Sequence, residues 1–414
     1  MAQIYPFRPF RYTEKAGPPE NLVTQPYDKI SPDMQRRYLS LSPYNLVRII
    51  LGEKKPDDSA RDNVYTRAAQ HLNDWIGSGV LARDSEPGIF PYFQEFTVPD
   101  TGERLVRKSL IALGAVEDYA AGVVYRHEQT LYGPKKDRLE LLRHTHAHFG
   151  QIFMLYPDPE GAVDQLLEEA ARGRPLTEVT DEYGVVHRLW KIGRQAEGLP
   201  HICRLMAGKK LLIADGHHRY ETALAFRNES PGLPGADRVM MAFVNMHSAG
   251  LKILATHRLV NGLDRSVLPD EFLRRAAGEF TATEVDSLAR LREAWAERSD
   301  RSIIGAAIGR RLFLLEDTAA RGELDVHILH ERLLAKALGI GEEAVRDEKH
   351  LRYVRGIEAA VDAARSGAAQ IAFLLKPTSI EQVAHTSFGG GVMPQKSTDF
   401  YPKLLSGLTI YKLD

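Results

Sequence analysis

The chain has 414 residues, 43% of them hydrophobic and 26% charged, a length and composition that bury large cores and divide into two or three domains. Lys plus Arg number 54 against 55 for Asp plus Glu, so no chain-wide basic field exists to hold nucleic acid by its phosphates. The single cysteine, Cys203, excludes an internal disulfide and reads as a small buried hydrophobe.

The opening MAQIYPFRPF lacks the charged start and apolar run of a signal peptide, and no apolar stretch is long enough to cross a bilayer. These features predict a cytoplasmic protein with no membrane partner. YNLVRIIL, 44–51, reads as a strand, and 58–80 as a helix closed by Gly77 and Gly79. Residues 88–116 read as a hairpin turning at Pro99 to Gly102. Helices follow over 135–149, 160–173, 196–208 and 218–229, and strands over 151–156, 185–192 and 210–214. Beyond the Pro/Gly-rich loop 230–237, RVMMAFVNM and LKILATHRLV are further strands. The texture changes after Gly262, and 268–299 is amphipathic and Ala-rich. A strand pair joined at Gly309, helices over 325–339 and 356–366, a strand over 369–377 and a loop-then-strand tail complete the chain. This pattern is α+β or mixed α/β with a largely mixed sheet. It divides into a domain over 1–262 and a smaller α/β domain over 263–414, whose C-terminal segment is expected to pack back on the site.

IADGHHRYETAL, 213–224, carries the most chemistry. An apolar strand runs into Asp215-Gly216 and a helix begins. The free amides at a helix N-terminus carry partial positive charge and favour anions. Gly216 permits a tight turn and close approach of a ligand to the main chain. Arg219 falls in the first turn, where a cation opposes the macrodipole unless an anion is present. Asp215 either caps the helix or binds a metal accompanying the anion. The alternative is that Asp215 only caps, and that His217, His218 and Arg219 are surface residues.

The same stretch is similar to the strand–G-x-H-R–helix phosphate-binding element of the ParB/sulfiredoxin superfamily. The whole chain resembles a widespread prokaryotic family defined as a domain of unknown function. The blocks that carry this resemblance are QPYDKIS at 25–31, RHEQT at 126–130, the stretch above, MMAFVNM, ATHRLV and VMPQKSTDFYPKLLSGL. It implies that Gly216, His218 and Arg219, with His217, hold nucleotide phosphates. His217 stands where sulfiredoxins have their reactive cysteine, which removes that chemistry. The even charge gives no support to the DNA-binding role of ParB proteins. The remaining branch is that of free-serine kinases, which phosphorylate serine with ADP or ATP and use an acidic base.

Other residues suit the same chemistry. Asp28, beside Tyr27, is a turn cap or else a general base or a substrate or metal ligand. His127 and Glu128 follow an apolar run; they form a surface ion pair with Lys135 or Arg138, or else serve as phosphate contact and base or metal ligand. Lys396, Ser397, Thr398 and Lys403 follow Gly389 to Gly391 and suit phosphate, although no P-loop pattern is present. His257 and Arg258 are a structural basic pair or a substrate contact. His144 and His148 share a helix face without the pattern of a metal site.

The sequence thus predicts a nucleotide-dependent phosphotransferase acting on a small hydroxylated metabolite, with free serine first among candidates. ATP or ADP and Mg²⁺ are the implied cofactors, with Asp215 and Glu128 as metal ligands. A nucleotide-binding regulatory or DNA-associated protein and a phosphate-ester hydrolase are the alternatives. A homo-oligomer is left open.

Overall fold

The computed structural model describes residues 2–128, 132–264, 269–298, 301–319 and 323–413. Two compact units form: Met1–Lys252 with Pro402–Asp414, and Ile253–Tyr401.

The first unit is built on a ten-stranded mixed sheet. Its centre is the hairpin Gly88–Thr97 and Arg104–Ala115. Strand Arg238–Asn245 lies antiparallel to the second hairpin strand and parallel to Ile152–Tyr156. Leu211–Asp215 follows antiparallel to Ile152–Tyr156, and the short Val124–Tyr125 runs parallel on its far side. The central strands are apolar on both faces. Ile152 to Tyr156 and Met240 to Val244 are all buried, as expected for strands covered by helices. The core packs Met154, Ile213, Met241 and Phe243 against Leu199, Ile202 and Tyr220 from the covering helices. The last residues of the chain thread back through this unit. Ser406 exchanges backbone hydrogen bonds with Thr24, and Gly407 donates to Phe149. Leu404, Leu405, Leu408 and Ile410 are buried there.

The second unit has a six-stranded sheet, in the order Phe280–Val285, Arg311–Asp317, Ile303–Ile308, Ile371–Leu374, Thr256–Val260, Leu351–Arg355. All its pairs are antiparallel. The helix expected over 325–339 begins as α-helix at Asp325–Ile328 and continues as π-helix over Leu329–Ala337.

Four local expectations change. The 44–51 segment is helical over Val47–Ile50 rather than a strand. Asn45 accepts from the Val47 amide at 3.0 Å through its side chain, and Leu46, Val47, Ile49 and Ile50 are all buried. Burial on every side outweighs the β-branched character of the run. The helix expected over 135–149 ends at Thr145. His146 is left-handed at φ 48°, and His148 sits in a strand paired with Tyr411, so His144 and His148 share no helix face. The amphipathic 268–299 region contains a strand, Phe280–Val285, between two helices. Helix Ile380–Phe388, closed at its start by a Ser379–Gln382 capping box, lies in what reads as a gap before the tail. No helix among the described residues is long and apolar enough to cross a membrane.

Candidate functional site

The strand Leu211–Asp215 turns into the helix His217–Glu229 at Gly216, whose φ is +94°. Only glycine adopts this conformation without strain. Asp215 Oδ1 accepts the Gly216 amide at 3.0 Å, so this carboxylate organises the turn. The Arg219 guanidinium curls back over the turn. A Cβ at Gly216 would lie 2.9 Å from Arg219 Nη2, and one at Gly150 would lie 3.3 Å from Nη1. Nη1 donates to the Gln151 carbonyl, while Nη2 stands 3.9 Å from Asp215 Oδ2. Two glycines thus make room for one guanidinium.

Lys403, carried back by the C-terminal segment, brings Nζ to 3.7 Å from Asp215 Oδ2. Burial alone would raise the Asp215 carboxyl, but Lys403, Arg219 and Lys29 outweigh it and hold the group well below the usual carboxylate range. Asp215 is an anion surrounded by cations.

Both imidazoles beside the turn are neutral. His127 Nδ1 donates to the Ile213 carbonyl at 2.8 Å, and its ring meets His217 edge-on at 4.6 Å. Burial lowers the pKa of each; Glu128 partly offsets this at His127, and His127 itself lowers His217 further. His217 is 6% exposed, and its Nε2 has no hydrogen-bond partner among the described residues. Neither side-chain atom of buried Gln151 has one. Such orphaned groups are rare unless water or a ligand completes them. His218 is half-buried; burial lowers its pKa, and the carboxylates Asp28, Glu221 and Glu128 push the other way.

The first unit therefore gathers Asp28, His127, Glu128, Asp215, Gly216, His217, His218, Arg219 and Lys403. Tyr27 joins them through Arg138, whose guanidinium lies 4.1 Å from the ring centroid. Tyr27, Arg138, Gly150, Arg219, Thr222 and Ser406 line a cavity of about 70 Å³, room for a few waters. A larger groove of about 580 Å³ runs along the helix face of Glu221, Ala225 and Asn228, lined also by Arg126, Lys135, Lys136 and Arg143. His218 lies one turn before Glu221 on that face.

The remaining expected residues belong to the second unit. His257 is buried and its Nδ1 accepts the Leu375 amide at 3.2 Å. Buried Arg258 donates to the carbonyls of Thr256 and, at 3.0 Å, Lys396. Lys396 is left-handed at φ 58°. Ser397 Oγ donates to Pro394, and the Ser397 carbonyl accepts from Thr378. Thr398 follows in the same loop.

Gln129 and Thr130 of the RHEQT block lie outside the described residues. Among the described residues no group of three or more His, Cys, Asp or Glu is arranged to hold a metal ion. Sequence reasoning missed Lys29, Gly150 and Gln151. HFGQIF carries a glycine before a strand, but nothing local says that a distant arginine needs the space.

The family model described as "Protein of unknown function (DUF1015)" matches residues 4–332. The chain belongs to this family. Solved structures it is similar to include a free serine kinase variant in complex with ADP, at 14% identity and TM-score 0.38, over 70% of this chain and 89% of that one. A conserved hypothetical protein from Pyrococcus furiosus shares 16% identity at TM-score 0.36, over 69% of this chain and 91% of that one. SbnI with a C-terminal truncation, from Staphylococcus aureus, shares 11% identity at TM-score 0.37, over 72% and 87%. No curated protein matches the chain.

Proposed function

We propose that the first unit of this DUF1015 protein binds a nucleotide through its phosphates at the Gly216 turn and transfers a phosphoryl group to a small hydroxylated metabolite, free serine being the first to test. One observation carries the reading. Arg219 and Lys403 both face the Asp215 carboxylate at a helix N-terminus, with Lys29 adding its charge while paired to Asp28 at 3.5 Å, beside a buried imidazole nitrogen that lacks a partner among the described residues. Arg219 in the first helical turn and Lys403 beside it bring more positive charge to this helix N-terminus than Asp215 alone balances, which favours a further anion there.

In this reading Gly216, His217, His218, Arg219 and Lys403 contact phosphate, and the groove beyond Glu221 takes the rest of the nucleotide. Its volume lies within the range of small-molecule sites. The motif's likeness to the ParB/sulfiredoxin phosphate element agrees with this assignment. Phosphoryl transfer depends mainly on positioning and on stabilising charge on the moving group. Arg219 and Lys403 supply that charge, and neutral His217 donates or accepts a hydrogen bond without adding to it. Asp28 or Glu128, both within the field of His218, deprotonates the attacking hydroxyl. Mg²⁺ would take one or two of the carboxylates Asp28, Glu128 and Asp215, with phosphates supplying its other ligands.

The test is a thermal shift with ADP, ATP and CTP, each with and without Mg²⁺. A ligand at a hundred times its Kd adds about 2.7 kcal/mol. No stabilisation by any of them ends the reading. Mass spectrometry of serine with the binding nucleotide then looks for phosphoserine. Binding without product would indicate a regulator, and phosphate release from phosphoserine without nucleotide a hydrolase.

A further inference from the structure

Arg107 is fully buried in the hairpin strand Arg104–Ala115, and no carboxylate stands within 4 Å of it among the described residues. An uncompensated buried guanidinium is expensive. Burial lowers its pKa to about 10, against which Tyr92 and Asp215 push upward, so it is charged at neutral pH. Nε donates to Gln94 Oε1 at 3.0 Å, Nη2 reaches the same oxygen and the Pro402 carbonyl, and the cation packs 4.6 Å from the Phe153 ring centroid. Gln94, also fully buried, turns its Nε2 to the Lys403 carbonyl at 2.8 Å.

The two side chains therefore hold two consecutive carbonyls of the returning segment, those of the peptide units on either side of the Lys403 Cα. The side chain that emerges there is the one 3.7 Å from Asp215. Adjacent anchors act elsewhere: Tyr92 Oη accepts the Leu405 amide at 3.3 Å and bonds His187 Nδ1 at 2.6 Å.

We propose that Arg107 and Gln94 are positioning residues that aim Lys403 at Asp215 and the Gly216 turn. Arg107 divides its donors between the Gln94 side chain and the Pro402 carbonyl, so that the pair forms a rigid base on the central sheet for a lysine delivered by the returning segment. Its charge adds positive potential behind the turn. The proposal rests on the nucleotide reading only where Lys403 meets phosphate; the placement of Lys403 is tested without any nucleotide.

The test is competitive labelling of lysines by an amine-selective reagent at neutral pH, read at Lys403 by mass spectrometry. Wild type, Arg107→Met, Gln94→Glu and Tyr92→Phe are compared as full-length proteins. Gln94→Glu keeps an acceptor for Arg107, now a carboxylate, and removes the donor to the Lys403 carbonyl together with a 3.4 Å contact to His187 Nδ1, so it tests the idea even where Arg107→Met fails to fold. Lys403 labelling is expected to rise several-fold in Arg107→Met and Gln94→Glu, and to stay at the wild-type level in Tyr92→Phe, which loosens Leu405 instead. Unchanged labelling in Gln94→Glu, or an equal rise in Tyr92→Phe, overturns the proposal. Where wild type binds ADP, the first two variants are expected to lose affinity. Failure of ADP to bind wild type would refute the nucleotide reading and leave the labelling result standing.

Discussion

Replacing Gly216 by alanine separates two costs that the structure places at one position. Alanine at φ +94° and ψ 27° occupies left-handed backbone, which costs about 1–2 kcal/mol. Its Cβ would also lie 2.9 Å from Arg219 Nη2 and 3.0 Å from Cζ and Nε. The guanidinium is the movable partner, and moving it gives up the bond to the Gln151 carbonyl. A hydrogen bond from a charged donor contributes about 1.5–3 kcal/mol. Gly216→Ala alone is therefore expected to cost about 2.5–5 kcal/mol. Arg219→Met alone loses the bond and costs about 1.5–3 kcal/mol, and Gly216→Ala in that background costs only the backbone strain, about 1–2 kcal/mol. The two residues should be coupled by about 1.5–3 kcal/mol in a double-mutant cycle. Urea unfolding followed by tryptophan fluorescence measures it. Trp75 and Trp190 report the first unit once Trp295, in the second, is replaced by Phe. Additive costs would show that the guanidinium does not lie over the glycine, and the packing argument for the anion site would fall with it.

Asp215→Asn should have two effects. Asp215 titrates below the usual carboxylate range, so the stability it brings is present above about pH 4 and lost as pH falls through its folded value. The variant should flatten that acid limb and bind inorganic phosphate more tightly, because Lys403 and Arg219 lose their shared anion; an unchanged acid limb in a pH series of melts would refute this. In the second unit, burial, with Arg258 adding to it, lowers the pKa of His257 to about 4 from 6.5. Only the unfolded chain takes up this proton between those values, so stability is complete above about pH 6.5 and falls by up to about 3 kcal/mol toward pH 4. His257→Asn should remove that slope from the unfolding of the second unit, and retention of the slope would show that another group causes it.

The strand–turn–helix at 211–229 and the hairpin at 88–116 were legible in the sequence because their causes are local. An apolar run, a glycine able to take positive φ and a Pro-Asp-Thr-Gly turn act on their own neighbours, whatever the rest of the chain does. Residues 44–51 misled because strand and buried helix look alike in a short apolar run, and only the surroundings decide between them. The same limit applied at the site. Asp215, Gly216 and Arg219 announced an anion-binding turn and Lys403 was named from its own block, yet nothing near the turn specifies Gly150 or the neutral state of His217.

The sequence alone determined the shape of the turn and the types of residue around it, since short-range backbone sterics and side-chain chemistry suffice for both. Only the tertiary structure decided which charges meet there. It returned 402–414 to the first unit, set Lys403 and Arg219 on one carboxylate, and buried two imidazoles so that their neutral forms are favoured. Coulomb interactions and desolvation depend on distance and burial, and for residues so far apart in the chain packing alone supplies both.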